Sequence, residues 1–135
     1  LLEILLTRYG KNLPWLRIAK TPLTYGLKGM IIRALGSSAL EKKAKAQGFM
    51  CSGDLLGAYG FNGSSDDYLA RFKGWLKEVK NYTAVPVLMC HPAVDMPINA
   101  EDVIYPARVR EFKVLASNKL AEELKKFSLV KSPHA

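Results

Sequence analysis

The chain has 135 residues, 49% apolar and 24% charged, with a formal net charge of +8. That is enough for one domain with a real core, residues 1–135, and too apolar for a disordered segment. No apolar run approaches the roughly 20 residues that cross a bilayer, and Lys42, Lys43, Lys45, Lys125 and Lys126 sit on polar helix stretches without interleaved aromatics, so neither a membrane span nor a nucleic-acid surface is expected.

Residues 1–9 are apolar at helical spacing, with Gly10 as the stop. Glu3 and the lack of a basic start argue against a signal peptide. A core-type helix at the first residue predicts that the chain begins inside a domain. Residues 13–18 predict a short strand whose one charge is Arg17. Residues 23–35 predict a helix despite Gly26 and Gly29. Gly36-Ser37-Ser38 breaks and recaps it into a second piece over residues 39–47, ended by Gly48. Phe49-Met50-Cys51 is a short apolar strand. Residues 52–63 hold Gly53, Gly57, Gly60 and Gly63 among apolar and aromatic residues. They read as an ordered loop that lines something, or as a plain surface connection. No lysine stands where a phosphate loop needs one. Ser64-Ser65-Asp66-Asp67 caps an amphipathic helix to about Lys80, with Tyr68, Leu69, Phe72, Trp75, Leu76 and Val79 on one core face.

Val85-Pro86-Val87-Leu88-Met89-Cys90 is a short apolar run that breaks at His91-Pro92. It reads as a strand buried on both faces, as in a parallel sheet. His91 then stands at a strand's carboxyl end, where β/α folds place chemistry. Asp95 follows four residues later, within reach of orienting an imidazole. The plainer alternative is an ordinary strand end with a satisfied histidine. After a loop over residues 92–99, Ala100-Glu101-Asp102 opens a helix to about Ser117, with Pro106 near its first turn. Residues 118–126 form a further short helix and residues 127–130 a last strand. The alternation predicts an α/β fold with a mostly parallel sheet. Cys51 and Cys90 make neither a disulfide framework nor a zinc motif and suit a reducing, cytoplasmic compartment.

Val87-Leu88-Met89-Cys90-His91-Pro92-Ala93-Val94-Asp95, followed by Tyr105, Arg108, Glu111, Phe112, Leu115 and Ser117, resembles the carboxyl-terminal half of the YdjC/ChbG-like carbohydrate deacetylases. That family includes the hopanoid-biosynthesis-associated deacetylase-like proteins. Trp15-Leu16-Arg17 is similar to its strand ending in Val-Arg, and Asp54-Leu55-Leu56-Gly57 to its Asp-x-Phe-x-Gly loop. Ala93 stands where the family has glycine, and Lys20 where it often has an acid. The resemblance implies part of a distorted (β/α) barrel of the polysaccharide-deacetylase type. It implies removal of an acetyl group from an N-acetylated sugar with a divalent metal, Mg or Zn, held by one aspartate and two histidines near the family's amino end. The only histidines here are His91 and His134, so no metal triad is expected in this chain and none of its residues is assigned to metal.

Amide hydrolysis needs an activated water, a stabilised oxyanion and an acid for the leaving amine. By resemblance His91 is that acid. Asp95 orients it, and Arg17 holds the catalytic carboxylate or steadies the oxyanion. Asp54 and Gly57 edge the sugar pocket, with Tyr59 and Phe61 as stacking faces or as core. Arg108 and Glu111, spaced i, i+3, predict a structural ion pair. The alternative function is a non-catalytic binding or dimerising module of the same fold. Half a barrel exposes apolar surface, so a homo-oligomer is expected in either case.

Overall fold

The first helix, α1 (Leu2–Tyr9), forms where apolar residues recur at helical spacing, and its charges suit the helix dipole, with Glu3 in the first turn and Arg8 in the last. Gly10 ends it at φ 56°, its N–H donating to the Leu6 carbonyl at 2.9 Å. The computed structural model describes residues 1–22, 26, 30–31, 36–82, 84–95 and 101–129. Among them are five helices and two parallel strands of two residues each. The predicted helix over residues 23–35 falls largely outside the described residues.

The chain divides into two compact units. The first comprises Leu1–Leu56 and Asn81–Leu88. Here α1 and α2 (Ser38–Ala46) bury Leu2, Ala44 and Phe49, with Leu5, Leu6, Leu13, Leu16 and Cys51 packed around them. The predicted serine cap of α2 is not made: Ser37 is itself in helical conformation and offers no side-chain cap bond.

Strands β1 (Leu55–Leu56) and β2 (Val87–Leu88) pair in parallel, Leu55 opposite Val87 and Leu56 opposite Leu88. A parallel bridge joins Leu16 to Cys51. The ladders are shorter than the sequence suggests: 13–18 and 49–51 meet only in that bridge, and 85–90 pairs at Val87–Leu88 with Leu55–Leu56, inside the stretch expected to be a glycine-rich loop. The cause lies at Gly53-Asp54. The Gly53 N–H donates to Val85 and the Asp54 carbonyl accepts from Val87, while the next N–H, of Leu55, turns back to the Lys20 carbonyl at 2.7 Å. Two successive residues facing one neighbour interrupt the alternation of a regular ladder. A Cβ at Gly53 would lie 2.7 Å from the Ala84 carbonyl oxygen, so glycine permits this close approach.

β2 is not buried on both faces as predicted. Val85 is 47% exposed, and Val87 and Leu88 are half-buried, because among the described residues β2 pairs with β1 alone. Pro86 is tolerated there for the same reason. The glycine-rich stretch is no surface connection at its start: Ser52, Gly53, Leu55, Leu56 and Gly57 are buried.

The second unit comprises Gly57–Lys80 and the chain from Met89 onward. Helix α3 (Ser65–Val79) follows the sequence pattern closely, burying Tyr68, Phe72, Trp75 and Leu76. Its amino end is a full capping box, with the Ser64 hydroxyl accepting from the Asp67 N–H at 3.2 Å and Asp67 Oδ2 accepting from the Ser64 N–H at 2.8 Å. Ser64→Ala is expected to lower stability by about 1 kcal/mol, read as a shift in urea midpoint with unchanged slope.

Helix α4 (Tyr105–Leu115) packs against α3 and against α5 (Asn118–Leu124). It starts later than predicted, with Pro106 in its first turn. Asp102 lies before the helix, its Oδ1 accepting from the Ile104 N–H at 3.2 Å. No strand forms over residues 127–129: the Phe127 N–H donates to Leu124, closing the end of α5, and Leu129 is 71% exposed. Val130 and His134 lie outside the described residues.

Candidate functional site

A carboxyl group sits on the buried stripe of α4. Ala107, Glu111 and Val114 recur at i, i+4 and i+7, and all three are buried, Glu111 completely. A carboxyl there must find donors inside the fold. Glu111 Oε2 accepts the main-chain N–H of His91 at 2.5 Å, and Oε1 accepts the Tyr59 hydroxyl at 2.8 Å. The His91 ring stands against the same group, Nδ1 lying 3.8 Å from Oε1. That is longer than a hydrogen bond, and Nδ1 is buried with no hydrogen-bond partner. The side chain as a whole is 28% exposed, so atoms other than Nδ1 reach the surface.

Arg108 completes the hold on His91. Its Nε donates to the His91 carbonyl at 3.2 Å, and its Nη1 pairs with Asp102 Oδ2 at 3.0 Å. The predicted Arg108–Glu111 ion pair is therefore replaced by two separate attachments, because Glu111 turns inward and Arg108 outward along α4. Phe61 meets the imidazole edge-on, with ring centres 5.3 Å apart. Its backbone is left-handed, φ 57°, an uncommon state for a bulky residue. The Arg110 guanidinium donates to its carbonyl at 2.8 Å.

Tyr59 belongs to this cluster through its hydroxyl. Its ring lies 5.0 Å from Phe61, 5.5 Å from Tyr68 and 6.0 Å from Trp75. Burial, then the bond to Glu111, pushes the Tyr59 hydroxyl well above the usual phenol range, so it stays a donor. Burial likewise raises the Cys90 and Cys51 thiols, and both cysteines are free.

The other predicted residues stand as follows. Asp95 is 73% exposed on its side chain and lies 3.8 Å from Lys113 Nζ; the carboxyl against the imidazole is Glu111. Gly57 is buried at φ 92°, pressed against the Met89 backbone. Arg17 and Asp54 belong to the first unit. Arg17 is exposed. Asp54 Oδ1 lies 3.4 Å from Lys20 Nζ, which also bonds Glu41 at 2.6 Å. The structure thus joins His91 and Tyr59 through Glu111, a residue that sequence reasoning assigned to a structural ion pair with Arg108. The signal for it was present: a glutamate in register with Ala107 and Val114 on an apolar stripe.

Glu41 takes two lysines, Lys20 and then Lys45 at 2.7 Å, and both bonds hold its carboxyl below the ordinary value of 4.5. A lowered carboxylate stabilises the fold above its unfolded value, and the contribution disappears as pH falls through the lowered one. Acid unfolding below about pH 4.5 should therefore weaken in Glu41→Gln, as the ratio of stabilities at pH 6 and pH 3 read by urea titration.

Among the described residues, no three or more His, Cys, Asp or Glu side chains group into a metal site, and no helix is long and apolar enough to cross a membrane. The chain matches no family model, no curated protein and no solved structure.

Proposed function

We propose that this chain is the carboxyl-terminal part of a cytoplasmic carbohydrate deacetylase of the YdjC/ChbG-like kind, built on a distorted (β/α) barrel, and that it supplies the general acid. The observation that supports this reading is the His91 side chain, which buries one ring nitrogen beside a carboxyl while remaining partly exposed. In the reaction, water adds to the acetamide carbon of an N-acetylated sugar. The C–N bond then breaks, releasing acetate, and the amine nitrogen needs a proton as it leaves. A partly exposed imidazole is a group that can supply it.

The donor groups of the described residues do not fit the divalent ion that the resemblance implies, so that ion, Mg or Zn, would be held by residues outside them. No step here runs through it. Arg17, Asp54, Gly57 and Asp95 carry only the roles that the resemblance assigns. Two free cysteines fit a reducing compartment.

The test is acetate release from N-acetylated amino-sugar oligomers by the longer enzyme carrying this segment. His91→Ala is expected to abolish most turnover with the fold intact by circular dichroism. Near-normal turnover in that variant overturns the proposal. The 135-residue chain alone is expected to release no acetate.

A further inference from the structure

We infer that Glu111 is the positioning residue of His91, fixing which ring nitrogen exchanges a proton; this rests on the reading of His91 as the acid. Three observations converge on it. Glu111 is fully buried, and its carboxyl accepts the Tyr59 hydroxyl and the His91 main-chain N–H. Its Oε2 holds the His91 main chain at 2.5 Å, which fixes where the ring can stand. Its Oε1 lies 3.8 Å from Nδ1, itself a buried nitrogen without a partner.

The consequence concerns the imidazole's two tautomers. Nδ1 faces only an acceptor, so the proton on Nδ1 is favoured and the lone pair there is not. Glu111 therefore keeps Nδ1–H both before and after transfer. The mobile proton is then the one on the other ring nitrogen, Nε2. When Nε2–H is given to the leaving amine, the ring that remains is already the tautomer Glu111 prefers. Tyr59 restrains the carboxyl from the other side, its hydroxyl donating to Oε1. Asp95, exposed and 3.8 Å from Lys113, is not needed for this.

The experiment is ring-nitrogen NMR of the 135-residue chain labelled on histidine, at about pH 9 where an ordinary imidazole is neutral. The chain has two histidines, so His91→Ala assigns the signals. Wild type should show mainly the Nδ1–H ring. In Glu111→Gln the amide places an N–H toward the ring or toward Tyr59, and the ratio of Nδ1–H to Nε2–H should fall about tenfold, the order of a nearby carboxylate's electrostatic pull on Nδ1–H. Tyr59→Phe frees Oε1 and should raise the same ratio, which keeps the test decisive if Glu111→Gln does not fold.

A wild-type ring found mainly as Nε2–H overturns the role of Glu111. So does an unchanged ratio in a folded Glu111→Gln. Neither outcome touches the deacetylase reading, which stands or falls with turnover of His91→Ala in the longer enzyme. In that enzyme Glu111→Gln should lower kcat with KM unchanged.

Discussion

Gly57→Ala is expected to cost the fold about 3 kcal/mol or more, or to prevent folding outright. Two independent effects add at this position. Its φ of 92° lies in a region that side-chain-bearing residues rarely adopt. A Cβ there would also fall on the carbonyl oxygen of Met89 and within 2.9 Å of the Met89 nitrogen. Backbone cannot rotate away as a flexible side chain can, so relief requires moving the segment that leads into His91. Gly60→Ala is the matched control, because its nearest neighbour would be the Asn62 side chain at 3.7 Å. That change should stay within about 0.5 kcal/mol. Urea titration of both variants decides the matter: equal midpoints would mean that the close approach at Gly57 is not what the residue is for.

The second large effect is kinetic. Removing the imidazole of His91 should reduce acetate release by ~10²–10⁴-fold, the usual contribution of a positioned acid. The variant should nevertheless fold. The groups by which Glu111 and Arg108 hold His91 are its main-chain N–H and carbonyl, and these survive substitution by alanine. The edge contact with Phe61 and the 3.8 Å approach of Nδ1 to Glu111 Oε1 are lost from the packing. Stability and turnover therefore separate in this variant. A protein that lost both together would point to a structural histidine.

Legibility of the fold from sequence followed how local each determinant is. Helix α3 was readable because its signals are all within the segment: Ser64 and Asp67 cap it, and Tyr68, Phe72 and Trp75 mark one face. The strands were only partly located: the run at 85–90 was drawn too long, and β1 falls inside the stretch read as a glycine-rich loop. Their length is set where Gly53 and Asp54 both turn toward residues 85–87, a choice that belongs to neighbouring chain segments and leaves no mark in local alternation. The start of α4 was placed too early because Glu101 and Asp102 suit a helix amino end. Asp102 instead holds Ile104 and Arg108, and Pro106 sits in the first turn.

The site was half legible. His91 was found from the break in an apolar run, and Tyr59 from its place in a glycine-rich loop. Glu111 was assigned to Arg108 by spacing alone, since i, i+3 pairs of opposite charge are common on exposed helices. What the spacing did not carry was the depth of the stripe it shares with Ala107 and Val114. Nor does any sequence pattern announce that Phe61 is left-handed, a state held by the carbonyl bond from Arg110.

The bonds of β2 carry one last implication. The Val85 carbonyl and the Val87 N–H both point toward β1, so residue 86 points the other way, along the outer rim of the pair. That residue is proline, so the rim lacks one ladder donor there. Among the described residues, a foreign strand arriving on this border would meet a gap in its ladder at residue 86, which disfavours template-driven aggregation along this apolar run.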